Sequence, residues 1–111
     1  MNQEQIKKGF HDEMVRIYEE EKELGHNAIR FRKMLNNKGG FQTATDLLSK
    51  PQPQIGFERL RDSKNFELTV EFLVLQEPWR QLFEQRYLDE AEKRLRDCGF
   101  DPYKSGNHEP C

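Results

Sequence analysis

Cysteine is scarce in this chain: Cys98 and Cys111 are the only two among 111 residues. So few thiols argue against a disulfide framework, and a reducing cytoplasm is the setting expected. Long apolar runs are missing as well. No stretch approaches the ~18–20 residues that span a bilayer, so no membrane contact is expected. The first residues, "MNQEQIKKGF", have neither the apolar centre nor the small-residue cleavage site of a signal peptide. Apolar side chains in general are few, at 34% with a mean hydropathy of −1.02, which limits the chain to a small core. Leu, Ile, Val and Phe still supply 26 of the 111 residues, above the rough ~20% floor below which chains stay disordered. Eight of these are phenylalanines, and each removes a large apolar area from water. A chain of this length is expected to form one domain over residues 1–100.

What acidic charge the middle of the chain lacks, its two ends carry. Residues 1–25 hold four basic and seven acidic side chains, and residues 65–111 hold six and ten. Residues 26–64 hold eight basic and only three acidic side chains. An anionic partner is therefore electrostatically welcome only in the middle third.

Apolar spacing predicts an all-α fold of about six short helices around one core. In the leading helix, over 3–24, Ile6, Phe10, Met14, Ile17 and Leu24 recur at steps of three, four or seven, with Tyr18 beside them. Gly25 suits the left-handed residue that ends many helices. Asn27 is a good N-cap for a second helix over about 28–37, with Ala28, Phe31, Met34 and Leu35 inward. The pair Gly39–Gly40 then reads as a helix–helix corner, and Phe41, Ala44, Leu47 and Leu48 continue at helical spacing. A phosphate-binding loop would put its lysine after the glycines and a strand before them, whereas here Lys38 precedes them and follows a helix.

"KPQPQIG" is a short internal linker, because both prolines lack an amide donor. "GFERLRDSK" supplies one or two turns with Phe57 and Leu60 inward. "NFELTVEFLVLQ" fits two periods. Its apolar residues alternate as in a half-buried strand, yet Asn65 could cap a helix in which Glu67 and Glu71 share a wet stripe. No second stretch offers itself as a pairing strand, so a helix is expected over 66–76. "EPWRQLF" restarts with Pro78 at the first helical position. "LDEAEKRLRDCGF" closes the domain, with Asp89 and Glu92 in a capping-box pattern and Leu88, Ala91, Leu95 and Cys98 on one side. Gly99 and Phe100 fit a Schellman ending. The tail 101–111 has no periodicity and is expected to be flexible.

Chemistry-bearing residues are sparse. Arg30, Arg32, Lys33, Lys38, Arg59 and Arg61 form a candidate anion or partner surface, with His26, Lys50 and Lys64 nearby. The plainer account is a solvated face that attracts the acidic first helix or an acidic partner. His108 and Cys111 have a metal-ligand spacing but no second pair to complete four ligands, and Cys98 lies on an apolar face as a core residue would. Glu71, amid apolar neighbours, is either that wet stripe or a buried acid of raised pKa. Trp79 is either an interface anchor or the largest filler of the core. No catalytic residue, metal or cofactor is assigned.

The run from Asn27 to Phe100 resembles a small bacterial helical module of unassigned function. The similar features are "RFRKML", "GG", "ATDLL", "GFERL", "LTVEFLVL", "PWRQLF" and "AEKRLRDCGF". The resemblance implies a stand-alone or appended accessory domain of bacterial and mobile-element proteins, and it transfers no catalytic residue. The expectation is a non-enzymatic protein–protein interaction module acting as an accessory, regulatory or inhibitory subunit. The alternative is nucleic-acid binding through the basic segment 26–64.

Overall fold

Asn2 opens the first helix in the computed structural model, which describes residues 2–103. Its side chain accepts from the Gln5 amide at 2.9 Å, and the Gln5 side chain accepts from the Asn2 amide at 3.0 Å. This reciprocal cap fixes the start of α1, Gln3–Glu23. Ile6, Phe10, Met14 and Ile17 form its buried stripe. The next member of the stripe is Glu21, not Leu24: Leu24 caps the helix and is 47% exposed. Gly25 takes the predicted left-handed conformation, with φ of 85°.

The second helix, α2 (Ile29–Leu48), starts without the predicted cap. Ala28 holds the cap position and no side chain bonds the first amides. Asn27 instead offers its carbonyl to Arg59, at 3.1 Å. Leu35 is buried as expected, whereas Ala28, Phe31 and Met34 are only half-buried. The Gly39–Gly40 corner is a kink inside α2. Gly39, at φ 83° and ψ 168°, breaks the helical path, and the chain resumes helically at Gly40. The freed Gly40 amide donates to His11 Nδ1 at 2.9 Å. An α1 side chain thus caps the second half of α2.

Three further helices follow: α3 (Ile55–Asp62), α4 (Val70–Val74) and α5 (Gln85–Asp97). Short 3₁₀ turns at Phe66–Leu68 and Trp79–Leu82 precede α4 and α5. There is no strand among the described residues, so the helical reading of 66–76 holds. That segment is broken, however. Thr69, rather than Asn65, caps α4, its hydroxyl accepting from the Phe72 amide at 3.0 Å. Pro78 stands before its turn, after a cis Glu77–Pro78 bond. α5 begins four residues earlier than its apparent capping box. Asp89 lies within the helix and accepts from Gln85 at 2.8 Å. At the other end, the Gly99 and Phe100 amides donate to Arg96 and Leu95 carbonyls at 2.9 and 3.0 Å, the Schellman ending expected. Residues 101–103 form a turn whose Tyr103 amide donates to Asp101. The rest of the expected flexible tail, including His108 and Cys111, lies outside the described residues.

α1 packs along α2, and α4 packs on α5. Two sets of aromatic contacts reinforce these pairs. Phe83 meets Phe10 edge-on and stacks on Phe41, each at 5.2 Å between centroids. Phe100 stacks on Phe66 at 4.7 Å and meets Phe72 at 5.9 Å. Ring pairs of this kind add to area burial. The result is a small all-α bundle.

Candidate functional site

Glu71 is not on a wet stripe. It is 4% exposed and paired with Arg94, which is 3% exposed. The i, i+4 spacing of Glu67 and Glu71 misled here, because the chain breaks at extended Thr69 and places Glu67 in a 3₁₀ turn and Glu71 in the separate short helix α4. Arg94 reaches four acceptors. Its Nε donates to Glu90 Oε2 at 2.7 Å, and its Nη1 to Glu71 Oε2 at 2.9 Å. Nη1 also donates to the Leu47 carbonyl at 3.2 Å, and Nη2 to the Lys50 carbonyl at 2.7 Å. One guanidinium therefore closes the C-terminus of α2 and binds α4 and α5 to it. Burial pushes the Glu71 carboxyl above its ordinary range, and the Arg94 contact opposes that. With both oxygen and nitrogen groups engaged, this pair is a structural tie. Glu90 four residues before Arg94 was legible in sequence. A partner 23 residues away was not.

A second buried acid sits at the α1–α2 corner. Glu21 is surrounded by protein, and that loss of water raises its pKa to about 7, with nearby Arg59 pulling the other way. Its Oε2 lies 3.9 Å from His26 Nδ1, a buried nitrogen with no hydrogen-bond partner. A carboxyl whose folded pKa lies above its unfolded value gives stability that is complete below the unfolded pKa, near 4.5, and lost as pH rises through about 7. Glu21→Gln should therefore match the natural chain near pH 4.5 and exceed it in stability above pH 7. The proton-affinity difference corresponds to at most about 3 kcal/mol. With 8% of the side chain still meeting solvent, screening reduces the expected gain to about 1–2 kcal/mol. Urea unfolding of both proteins at pH 4.5 and pH 8 checks this. Equal stability at pH 8 would contradict the burial argument.

Of the basic residues singled out in sequence, four already have partners within the protein. Lys38 binds Asp46 at 2.7 Å, and Arg61 binds Asp62 at 3.0 Å. Arg59 is turned to the Asn27 carbonyl, and Arg32 lies over the Tyr18 ring, 5.4 Å from its centroid. Arg30 and Lys33 are exposed, and among the described residues they have no ion-pair partner. Trp79 is half-buried against α1. Its ring edge lies where a Cβ on Gly9 would come within 2.8 Å, and Phe10 is 6.2 Å away between centroids. Trp79 thus anchors its own turn to the first helix. A glycine inside a helix, where it costs about 1 kcal/mol, signals such close packing, and Gly9 carried that signal in the sequence.

Beside the corner lies a shallow groove of about 490 Å³ between the end of α1 and the Lys64–Leu68 stretch. Leu24 and Leu68 are its apolar members, and Glu23, Glu67 and Lys64 are among its charged ones. Leu24 and Ile29, 47% and 55% exposed, flank the corner. With Tyr103 they are the large apolar residues most open to solvent among those described. No group of three or more metal-binding side chains is gathered among the described residues. No helix among them is long and apolar enough to cross a membrane.

No protein-family model, curated protein or solved structure matches the chain. The resemblance of Asn27–Phe100 to a bacterial module gains no support from these comparisons. What stands is the class: a small all-α bundle, with one buried ionic tie and one partly apolar, charged corner.

Proposed function

We propose that this protein is a non-enzymatic protein-binding module, acting as an accessory, regulatory or inhibitory subunit, and that it meets its partner through the α1–α2 corner. The observation that carries the reading is the solvent exposure of Leu24 and Ile29 five residues apart on one corner. Neighbouring exposed apolar side chains rimmed by charge favour protein contact. The two most deeply buried charges, Glu71 and Arg94, are consumed in holding helices together, which leaves them a structural role. Nucleic-acid binding through 26–64 is the weaker reading, because Lys38, Arg59 and Arg61 already have acceptors in the protein and the chain is net acidic.

A photo-crosslinking residue placed at position 29 tests the proposal in cells producing the protein. One discrete protein adduct, a second copy of the chain included, is expected from position 29, and it should weaken when Leu24 is changed to Asp. A crosslinker at exposed Arg86 on α5 is the control. Equal adducts from both positions, or none from position 29, would remove the basis for the reading.

A further inference from the structure

The corner carries both halves of a contact. The groove side presents Leu24 and Leu68 with Glu20, Glu23 and Glu67 against a single cation, Lys64. Glu20 is paired with Arg16, whereas Glu23 and Glu67 have no ion-pair partner among the described residues. At the same end of the molecule, the first turns of α2 present exposed Ile29 with Arg30 and Lys33, which also lack ion pairs among the described residues. Arg30 and Lys33 are three apart on α2, and Ile29 and Lys33 four apart, so the three side chains are neighbours on its surface. One side is apolar and net acidic, three glutamates against Lys64. The other is apolar and basic. Both face water only a helix connection apart.

We propose that the occupant of this groove is a second copy of the chain, in a two-fold dimer. Ile29, Arg30 and Lys33 of each protomer seat against Leu24, Glu23 and Glu67 of the other. A two-fold axis brings residue i of one copy to residue j of the other and j to i at once, so one pairing of patches is made twice. Each carboxylate then meets a cation, and both leucine-sized side chains leave water together. The contact involves few residues, which places it among the small, salt-sensitive interfaces rather than the obligate ones. The proposal rests on the reading of the corner as a protein-binding face and names what binds there.

The test is a charge swap read by sedimentation equilibrium and native mass spectrometry of the full chain. The natural protein should pass from monomer to dimer as its concentration rises, with dimerisation at least ~10-fold weaker when salt shortens the reach of the charges. Glu23→Lys/Glu67→Lys gives a protein whose two patches are both basic, and Arg30→Glu/Lys33→Glu one whose patches are both acidic. Each should be monomeric alone, with unchanged helical circular dichroism, since all four side chains are exposed. Mixed, they should form a heterodimer, because both contacts are again between opposite charges. A natural chain that stays monomeric at every concentration overturns the dimer. So does dimerisation of either swapped protein alone, or failure of the mixture to associate. If the dimer fails while position 29 still gives an adduct with another protein, the docking face survives and its occupant is not a second copy.

Discussion

Arg94→Leu is expected to lower the free energy of unfolding by about 3–5 kcal/mol, the usual cost of leaving a buried charge without its partner. Arg94 is 3% exposed and Glu71 4%, so water cannot replace either one when the other is lost. The same substitution strips donors from the Leu47 and Lys50 carbonyls at the end of α2. The pair itself is not the source of the stability; its interruption is the source of the loss. Glu71→Leu combined with Arg94→Leu should therefore recover most of the deficit, leaving about 1–2 kcal/mol for the two carbonyls. Acidity separates this account from simple mispacking. In Arg94→Leu the Glu71 carboxyl keeps the upward push of burial and loses the contact that opposed it. Its folded pKa is then above the unfolded one. The deficit should be smallest at acid pH and grow as pH rises through that raised value. Guanidinium unfolding of the single and double variants at pH 4.5 and pH 8 provides the measurement. A single variant no worse than an exposed change such as Arg86→Leu, within about 0.5 kcal/mol, would mean that Arg94 does not tie α2, α4 and α5 together.

The same residue marks where sequence reading succeeds and where it stops. Periodicity placed Ile6, Phe10, Met14 and Ile17 on the buried side of α1, and glycine placed two helix ends and the kink in α2, because both signals are local. Gly25, Gly39 and Gly99 all have φ between 80° and 85°, a region that other residues enter only at a cost. Helix starts were less legible. Asn27, Asn65 and Asp89 each look like caps, yet α2, α4 and α5 begin elsewhere, since a cap forms only where tertiary packing lets the chain turn. The Glu71–Arg94 and His11–Gly40 contacts span 23 and 29 residues, and no spacing rule reaches that far. As for the candidate site, the exposure of Ile29 could not be read from a helix whose other apolar residues point inward. Of the basic residues, composition gave the cluster, and only the fold assigned Lys38 to Asp46 and Arg61 to Asp62.

Gly40→Ala puts the largest of these long-range contacts to the test, because two local arguments disagree about its sign. Intrinsic helix propensity favours alanine over glycine by about 1 kcal/mol, and Gly40 lies in the helical second half of α2. Packing opposes it. An added Cβ would stand 2.7 Å from His11 Cα and 3.3 Å from the His11 nitrogen, and those are backbone atoms of α1 that no rotamer change can move. The helices must separate, at about 1–3 kcal/mol, and the Gly40 amide then loses its 2.9 Å bond to the His11 ring, about 1 kcal/mol more. Packing should win, with a net loss of about 1–3 kcal/mol by urea unfolding. Two companions isolate the cause. Gly56→Ala, in α3 with nothing within 4 Å of the new methyl, should be neutral or stabilising by up to about 1 kcal/mol. His11→Ala should cost about 1 kcal/mol through the lost cap alone. Because the obstruction is the main chain of residue 11 and not its ring, Gly40→Ala should remain destabilising in the His11→Ala background. Relief of the Gly40 effect there would show instead that the imidazole, rather than the approach of two helix backbones, sets the kink against α1.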